Sequence, residues 1–200
     1  MISPSEHRRR GRITVLAPYS LIAALVVAAT LGPATASDYK CNRVLDGDTI
    51  HIVGNNAEIT LRLFGIDAPE TSKNKRVPGQ PFSQAASKHL AGLVLNKAVQ
   101  FKNCGTDRYG RTLAVVFVDG KDVNIDLVKA GLAEVYRGSS GTGQQMALYR
   151  EAEKEAREAG RGMWALKENY ISPKEWRERR KNPAGPKQPP GRHYLSSTTY

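Results

Sequence analysis

Cysteine is scarce in this chain: Cys41 and Cys104 are the only two in 200 residues. Histidine is nearly as rare, and the four present (His7, His51, His89 and His193) are scattered, with no pair at ligand spacing. Without a Cys-x-x-Cys or paired histidines, no zinc site is expected. No internal repeat is visible. Acid is in deficit too, with 19 Asp and Glu against 30 Lys and Arg, a formal net charge of +11. Such a surplus biases a protein towards polyanions, either nucleic acid or anionic headgroups.

The first segment sets the compartment. The basic stretch MISPSEHRRRGR precedes an alanine-rich apolar run, and Ala34-Thr35-Ala36 offers a small-residue cleavage site before Ser37. That pattern predicts a signal peptide over 1–36, with the chain secreted or periplasmic after cleavage. An uncleaved membrane anchor is the alternative, because 13–31 approaches spanning length. The remaining 164 residues carry 26 basic and 18 acidic groups, a formal +8. They suffice for one domain with its own core. In an oxidising compartment, an even cysteine count reads as one disulfide.

Strands and helices then alternate unevenly. Strand patterns fall at 39–45, 49–53, 58–64, near 98–102 and over TLAVVFV, 112–118. In the third, Ile59, Leu61 and Leu63 alternate with Thr60, Arg62 and Phe64. Helices are expected over about 81–95, from Asp122 as cap to about Gly131, and over 144–159. In the last, Met146, Tyr149, Ala152, Ala156 and Ala159 form an apolar stripe, read as core. Five short strands, one helix between the third and fourth, and about three helices in all predict an α+β fold built on a five-stranded OB barrel. The domain is bounded at 37–170. Residues 171–200 read as a basic, proline- and glycine-rich tail without apolar periodicity beyond about 182. The run EWRERRKN before that point reads as a solvated helix end, with contact to a polyanion as its alternative.

Chemistry concentrates in three places. RVLDGDTI sets Asp46 and Asp48 around Gly47, which is either a hairpin turn with glycine at positive φ or a cation site. LRLFGIDAPE brings Arg62, Asp67 and Glu70 within nine residues, and DRYGR places Arg111 just before the fifth strand. Two carboxylates for a hard cation, a third for proton abstraction and two guanidiniums for a charged transition state make a phosphoryl-transfer set.

These segments, with LVKAGLAEVY and EAEKEAREAGRGMW in the same order, resemble the staphylococcal nuclease-like, or thermonuclease, family from about Tyr39 to Trp164. The resemblance implies an OB barrel with packed helices and calcium-dependent hydrolysis of DNA or RNA with little sequence preference, leaving 3′-phosphate ends. It implies Asp48 and Asp67 as calcium carboxylates, with Asp46 tuning the site nearby. Ala68 stands where the family often has a threonine binding calcium through its backbone carbonyl, a role alanine keeps. Glu70 matches the general base, and Arg62 and Arg111 the arginines that hold the scissile phosphate.

Tyr109 resembles a nucleotide-contacting tyrosine. Tyr136 stands near a second one, a residue out of register, with a ring packed on the barrel as its alternative. Lys73, Lys75 and Arg76 fall in the family's basic loop beside the active site, where they would touch phosphates without reading sequence. Because the first and fourth strands of an OB barrel are neighbours, Cys41 and Cys104 become the expected disulfide. Nothing in the pattern demands a protein partner or more than a monomer. Two rivals remain: a catalytically silent nucleic-acid-binding module and an exported polyanion-binding protein. Neither needs the carboxylates.

Overall fold

A computed structural model describes residues 39–72, 78–138 and 143–182. The expected signal segment 1–36, the loop residues Lys73, Lys75 and Arg76, and the tail beyond residue 182 lie outside the described residues. Among those described, no helix is long and apolar enough to cross a membrane.

Alternation of apolar and polar residues produces β1 (Tyr39–Val44), β2 (Thr49–Gly54) and β3 (Ala57–Leu63), an antiparallel meander. Asn55 and Asn56 both take positive φ between β2 and β3, the turn geometry that suits a twisted hairpin. After the short β4 (Ile66–Asp67) and helix α1 (Ser83–Val94) come β5 (Ala98–Thr106) and β6 (Thr112–Val118). The sheet runs β3-β2-β1-β5-β6, and β6 then pairs in parallel with β3 through Leu61↔Thr112, Arg62↔Leu113 and Leu63↔Ala114. That last pairing closes the five-stranded barrel. It also sets Arg111, one residue before β6, beside the strand that carries Arg62.

The remaining elements are β7 (Lys121–Asp122), α2 (Val123–Lys129), β8 (Glu134–Val135), α3 (Gln144–Glu158), a 3₁₀ helix (Gly162–Asn169) and α4 (Pro173–Lys181). Asp122 caps α2 as expected, accepting from Ile125 N at 3.0 Å. The barrel fills with Ile50, Ile52, Leu61, Leu63, Val99 and Val116, and Leu90, Leu127 and Tyr149 cover it from α1, α2 and α3. Asn124 of α2 seals the closing seam: its amide donates to Phe64 O and Ala114 O, and its carbonyl accepts from Val116 N. On α3 the stripe stops at Ala156, and Ala159 is exposed. The buried Glu153 holds Val135 N of β8 at 3.0 Å.

Three points stand out. First, the expected barrel with helices packed on it is present, and among the described residues the α-helices number four. Ser172 caps α4 by accepting from Glu175 N at 3.1 Å, and Pro173 occupies the first turn, where its missing N–H costs nothing. Second, the disulfide is absent: Cys41 and Cys104 are both free thiols. Strand register explains why. Cys41 N donates to Lys97 O, whereas Cys104 lies seven residues farther along β5. At about 3.3 Å per residue that is on the order of 20 Å, far beyond disulfide reach.

The third point is a correction at Gly47, which does not have positive φ. A Cβ there would lie 2.7 Å from the Ala68 Cβ and 2.8 Å from the Ala86 Cβ. Glycine is needed for the close approach of three backbones, not for the turn angle. Gly47→Ala should therefore cost about 1–3 kcal/mol in urea unfolding, by wedging α1 and Ala68 away from Asp48.

Candidate active site

The turn before β2 aims its acids inwards. Asp46 Oδ1 accepts from Asp48 N at 3.0 Å, a local turn that competes with strand pairing at this point. Asp48 O accepts from Leu63 N at 2.8 Å, which ties the turn to the end of β3. The Asp48 side chain is buried: Oδ2 accepts from Ala68 N at 2.9 Å, and Oδ1 from Thr49 Oγ1 at 3.0 Å and Arg62 Nη1 at 2.5 Å.

Arg62 is a bridge. Its Nη2 donates to Asp67 Oδ1 at 2.9 Å, so one guanidinium spans both proposed metal carboxylates. Asp67 arrives by way of Gly65, whose φ of +76° turns the chain. A Cβ at Gly65 would lie 2.7 Å from Met146 Sδ, so a side chain there would be both strained and crowded. β4 then pairs with β8, setting Asp67 opposite Glu134.

Glu70 follows on a loop that Gln80 clamps. Gln80 Oε1 accepts from Glu70 N at 3.0 Å, and Gln80 N donates to Glu70 O at 2.8 Å. The Glu70 carboxylate accepts from Arg177 Nη1 of α4 at 2.7 Å, and Arg177 also forks onto Asp67, at 3.0 Å to Oδ1 and 2.7 Å to Oδ2.

The opposite wall belongs to the β5–β6 loop. Asp107 Oδ1 accepts from Tyr109 N and Arg111 N, and its Oδ2 from Arg111 Nε at 2.7 Å. Asp107 thus folds the loop and orients Arg111. The Arg111 guanidinium lies 5.6 Å from the centre of the Tyr109 ring, which is itself well exposed. Asp46, Asp48, Arg62, Glu70, Arg111 and Arg177 all line one cleft of about 700 Å³, with Tyr109 and Tyr136 on its walls.

Burial pushes the Asp48 carboxyl up to about 6, and the nearby Asp46 charge adds to this against the pull of Arg62 and the Ala68 N–H. Arg62 is burdened by burial too, but Asp48, Asp67 and Asp46 together hold its charge on more firmly than usual. Arg177 also ends above its ordinary range: burial opposes the charge, and Asp67 and then Glu70 overcome it. The folded Asp48 holds its proton more tightly than an unfolded aspartate, near 3.9. Its stability contribution is therefore full below about pH 4 and is lost as pH rises through about 6. In cation-free buffer, Asp48→Asn should raise stability by about 1–3 kcal/mol at pH 7. The gain should vanish below about pH 4 in the same melts.

Residues 60–166 match the family described as Staphylococcal nuclease homologue. The chain belongs to that family. It is 37% identical over 181 residues to a micrococcal nuclease of Shigella flexneri, covering 84% of this chain and 97% of the relative. It is 38% identical over 140 residues to an uncharacterized endonuclease of Haemophilus influenzae, covering 70% and 72%. A probable endonuclease LCL3 of Phaeosphaeria nodorum is 38% identical over 124 residues, 59% of this chain but 42% of that protein. As a member of the staphylococcal nuclease family, the chain is a hydrolase of phosphodiester bonds.

The barrel brings the family-matched residues Asp46, Asp48, Arg62, Asp67, Ala68, Glu70 and Arg111 to one end of the structure, and Tyr109 and Tyr136 flank them. Sequence reasoning missed Asp107, Gln80 and Arg177. An Asp four residues before Arg111, in an Asp-x-x-Gly turn, was a legible signal for the first. Gln80 and Arg177 carry none, because their partners lie 10 and more than 100 residues away. Arg177 sits in the run read as a solvated helix end and instead reaches into the cleft.

The family implies calcium, and the donors suit a hard ion: the Asp48 and Asp67 carboxylates and the Ala68 carbonyl supply oxygen alone. Among the described residues no group of three or more His, Cys, Asp and Glu is disposed to hold an ion by itself. Water and substrate phosphate oxygens would have to complete such a shell, which fits a modest affinity.

Proposed function

We propose that this chain is an exported, calcium-dependent nuclease that cuts DNA or RNA with little sequence preference and leaves 3′-phosphate ends. The observation that carries this reading is Arg62, held across two buried carboxylates in the cleft that also contains Glu70 and Arg111. Asp48, Asp67 and the Ala68 carbonyl would hold calcium, which supplies positive charge against a phosphoryl oxygen. Arg62 and Arg111 offer planar forks to the remaining phosphoryl oxygens and to the charge that builds on them. Glu70 takes a proton from the attacking water, the water oxygen bonds to phosphorus, and the P–O5′ bond breaks. The departing oxygen takes its proton from solvent through the open cleft. Exposed Tyr109, with Arg108 stacked 4.9 Å from its ring centre, offers a platform for an unpaired base.

Tyr136 is partly exposed on the cleft wall and would serve as a second platform. Its ring stands where a Cβ on Gly138 would come within 2.4 Å of its hydroxyl, so glycine there leaves it room. Lys73, Lys75 and Arg76 would add phosphate contacts, and the protein would act as a monomer. Export rests on the basic and apolar segments of 1–36; N-terminal sequencing of the secreted protein should begin at Ser37. The activity is tested by digesting single-stranded DNA, double-stranded DNA and RNA with calcium or with chelator, and by analysing the product ends. Cleavage only with calcium, giving 3′-phosphates, is expected. Salt-sensitive binding without cleavage would instead make the chain a binding module.

A further inference from the structure

Asp67 is shut off from the cleft whose other charged residues it accompanies. Its side chain is 1% exposed, and it does not line the cleft wall. Two guanidiniums cover it. Oδ1 accepts from Arg62 Nη2 at 2.9 Å and Arg177 Nη1 at 3.0 Å, and Oδ2 accepts from Arg177 Nη2 at 2.7 Å. A carboxylate oxygen offers about two lone-pair sites, so Oδ1 is fully engaged and Oδ2 half so. The same Arg177 Nη1 donates to Glu70 Oε1 at 2.7 Å, occupying the proposed base as well.

Arg62 belongs to the barrel, but Arg177 comes from α4, and α4 grips the barrel unevenly. At its start the chain is anchored: Gln80 Nε2 donates to Ile171 O at 2.7 Å, and the Tyr170 hydroxyl donates to Glu134. Within the helix, Pro173 alone is buried. Beyond it, Arg177 bonds to Asp67 and Glu70 of the barrel end. Arg179 turns back onto Glu175 in the same helix. Trp176 of α4 is part-buried with its indole nitrogen covered, so packing holds the middle of the helix, and the polar attachment beyond it is one guanidinium on two acids, which another cation can compete away. A divalent ion and a guanidinium cannot share the same carboxylate oxygens without strong repulsion.

We propose that Arg177 is a built-in counter-ion for the cation seat, and that calcium gains Asp67 only as Arg177 leaves both Asp67 and Glu70 and the basic end of α4 swings off the cleft. This rests on the calcium reading of the site. α4 then acts as a strap: closed, it neutralises and covers the carboxylates; open, it frees Glu70 for water and turns Arg177, Arg180 and Lys181 towards polyanionic substrate. Gln80 is the hinge-side anchor, holding the start of the strap with its amide and the Glu70 backbone with its carbonyl.

The test is calcium binding by calorimetry without nucleic acid, on the full chain and on Arg177→Gln and Arg177→Lys. It is read beside hydrogen exchange of the α4 amides with and without calcium. Arg177→Gln should bind calcium about tenfold more tightly, a difference of about 1.4 kcal/mol. Arg177→Lys should fall between the two, since an ammonium is a point charge without the fork. In the unaltered chain, calcium should speed exchange across 175–181. Equal or weaker calcium binding by Arg177→Gln, with α4 exchange unmoved by calcium, would overturn the proposal and make Arg177 a fixed support of Asp67. No calcium binding by any of the three would remove the calcium reading and this proposal together. The exchange measurement needs no variant, so a misfolded substitution cannot shelter the idea.

Discussion

Arg62→Ala should lower stability by about 3 kcal/mol and cut nuclease activity by at least 10²-fold. The stability figure follows from what the guanidinium touches. It is mostly buried, and it bridges Asp48 and Asp67, which are 5% and 1% exposed at the side chain. Removing one partner of a buried ion pair costs about 3–5 kcal/mol, because a charge is left without compensation. The lower end applies here, since Arg177 still covers Asp67 and Asp48 can neutralise itself by taking up a proton. Urea unfolding should show the deficit growing as pH rises from 5 to 8, where that proton must be surrendered. The activity loss follows from removing a preorganised cation aimed at the developing phosphoryl charge. Arg62→Lys should recover part of the stability and little of the rate, because one ammonium cannot bridge two carboxylates as a fork does.

Glu70→Gln should behave in the opposite way, losing about 10²–10⁴-fold in the rate of cleavage with unfolding changed by less than about 1 kcal/mol. The side chain is 23% exposed, and its carboxylate accepts from Arg177, an arginine that is itself one-third exposed. The loop beneath it is held through backbone contacts to Gln80, which the substitution leaves alone. Single-turnover cleavage under saturating enzyme would separate the chemical step from substrate binding. A rate within a few-fold of the unaltered chain would move the base elsewhere in the cleft.

Much of this architecture is local and so was legible. The alternation over Glu58–Leu63 and the cap at Asp122 each follow from a few neighbouring residues, and each is present. The site acids and Arg62 fall within 25 residues of one another, so their pattern carried the resemblance as well. What escaped depends on distance and register. The Cys41–Cys104 pairing looked sound from strand adjacency alone, but register puts the thiols at opposite reaches of β5. Gly47 announced a turn angle and instead answers to steric pressure from Ala68 and Ala86, one of them 39 residues away. Arg177 sat in a charge run with no apolar stripe behind it. Its partner carboxylates are 107 and 110 residues upstream, and only the folded chain brings them together.

The cleft between Asp48 and Arg111 is the proposed seat of calcium-dependent phosphodiester hydrolysis. The most direct test is the initial rate of DNA cleavage by the chain in calcium and in chelator, beside Arg111→Ala in calcium. Asp107 orients Arg111 at the cleft wall without burying it deeply, so this substitution should spare the fold. The expected result is cleavage that stops in chelator and falls by at least 10²-fold in the variant. Cleavage that persists in chelator, or that is undiminished in Arg111→Ala, would contradict the account and place the chemistry outside this cleft.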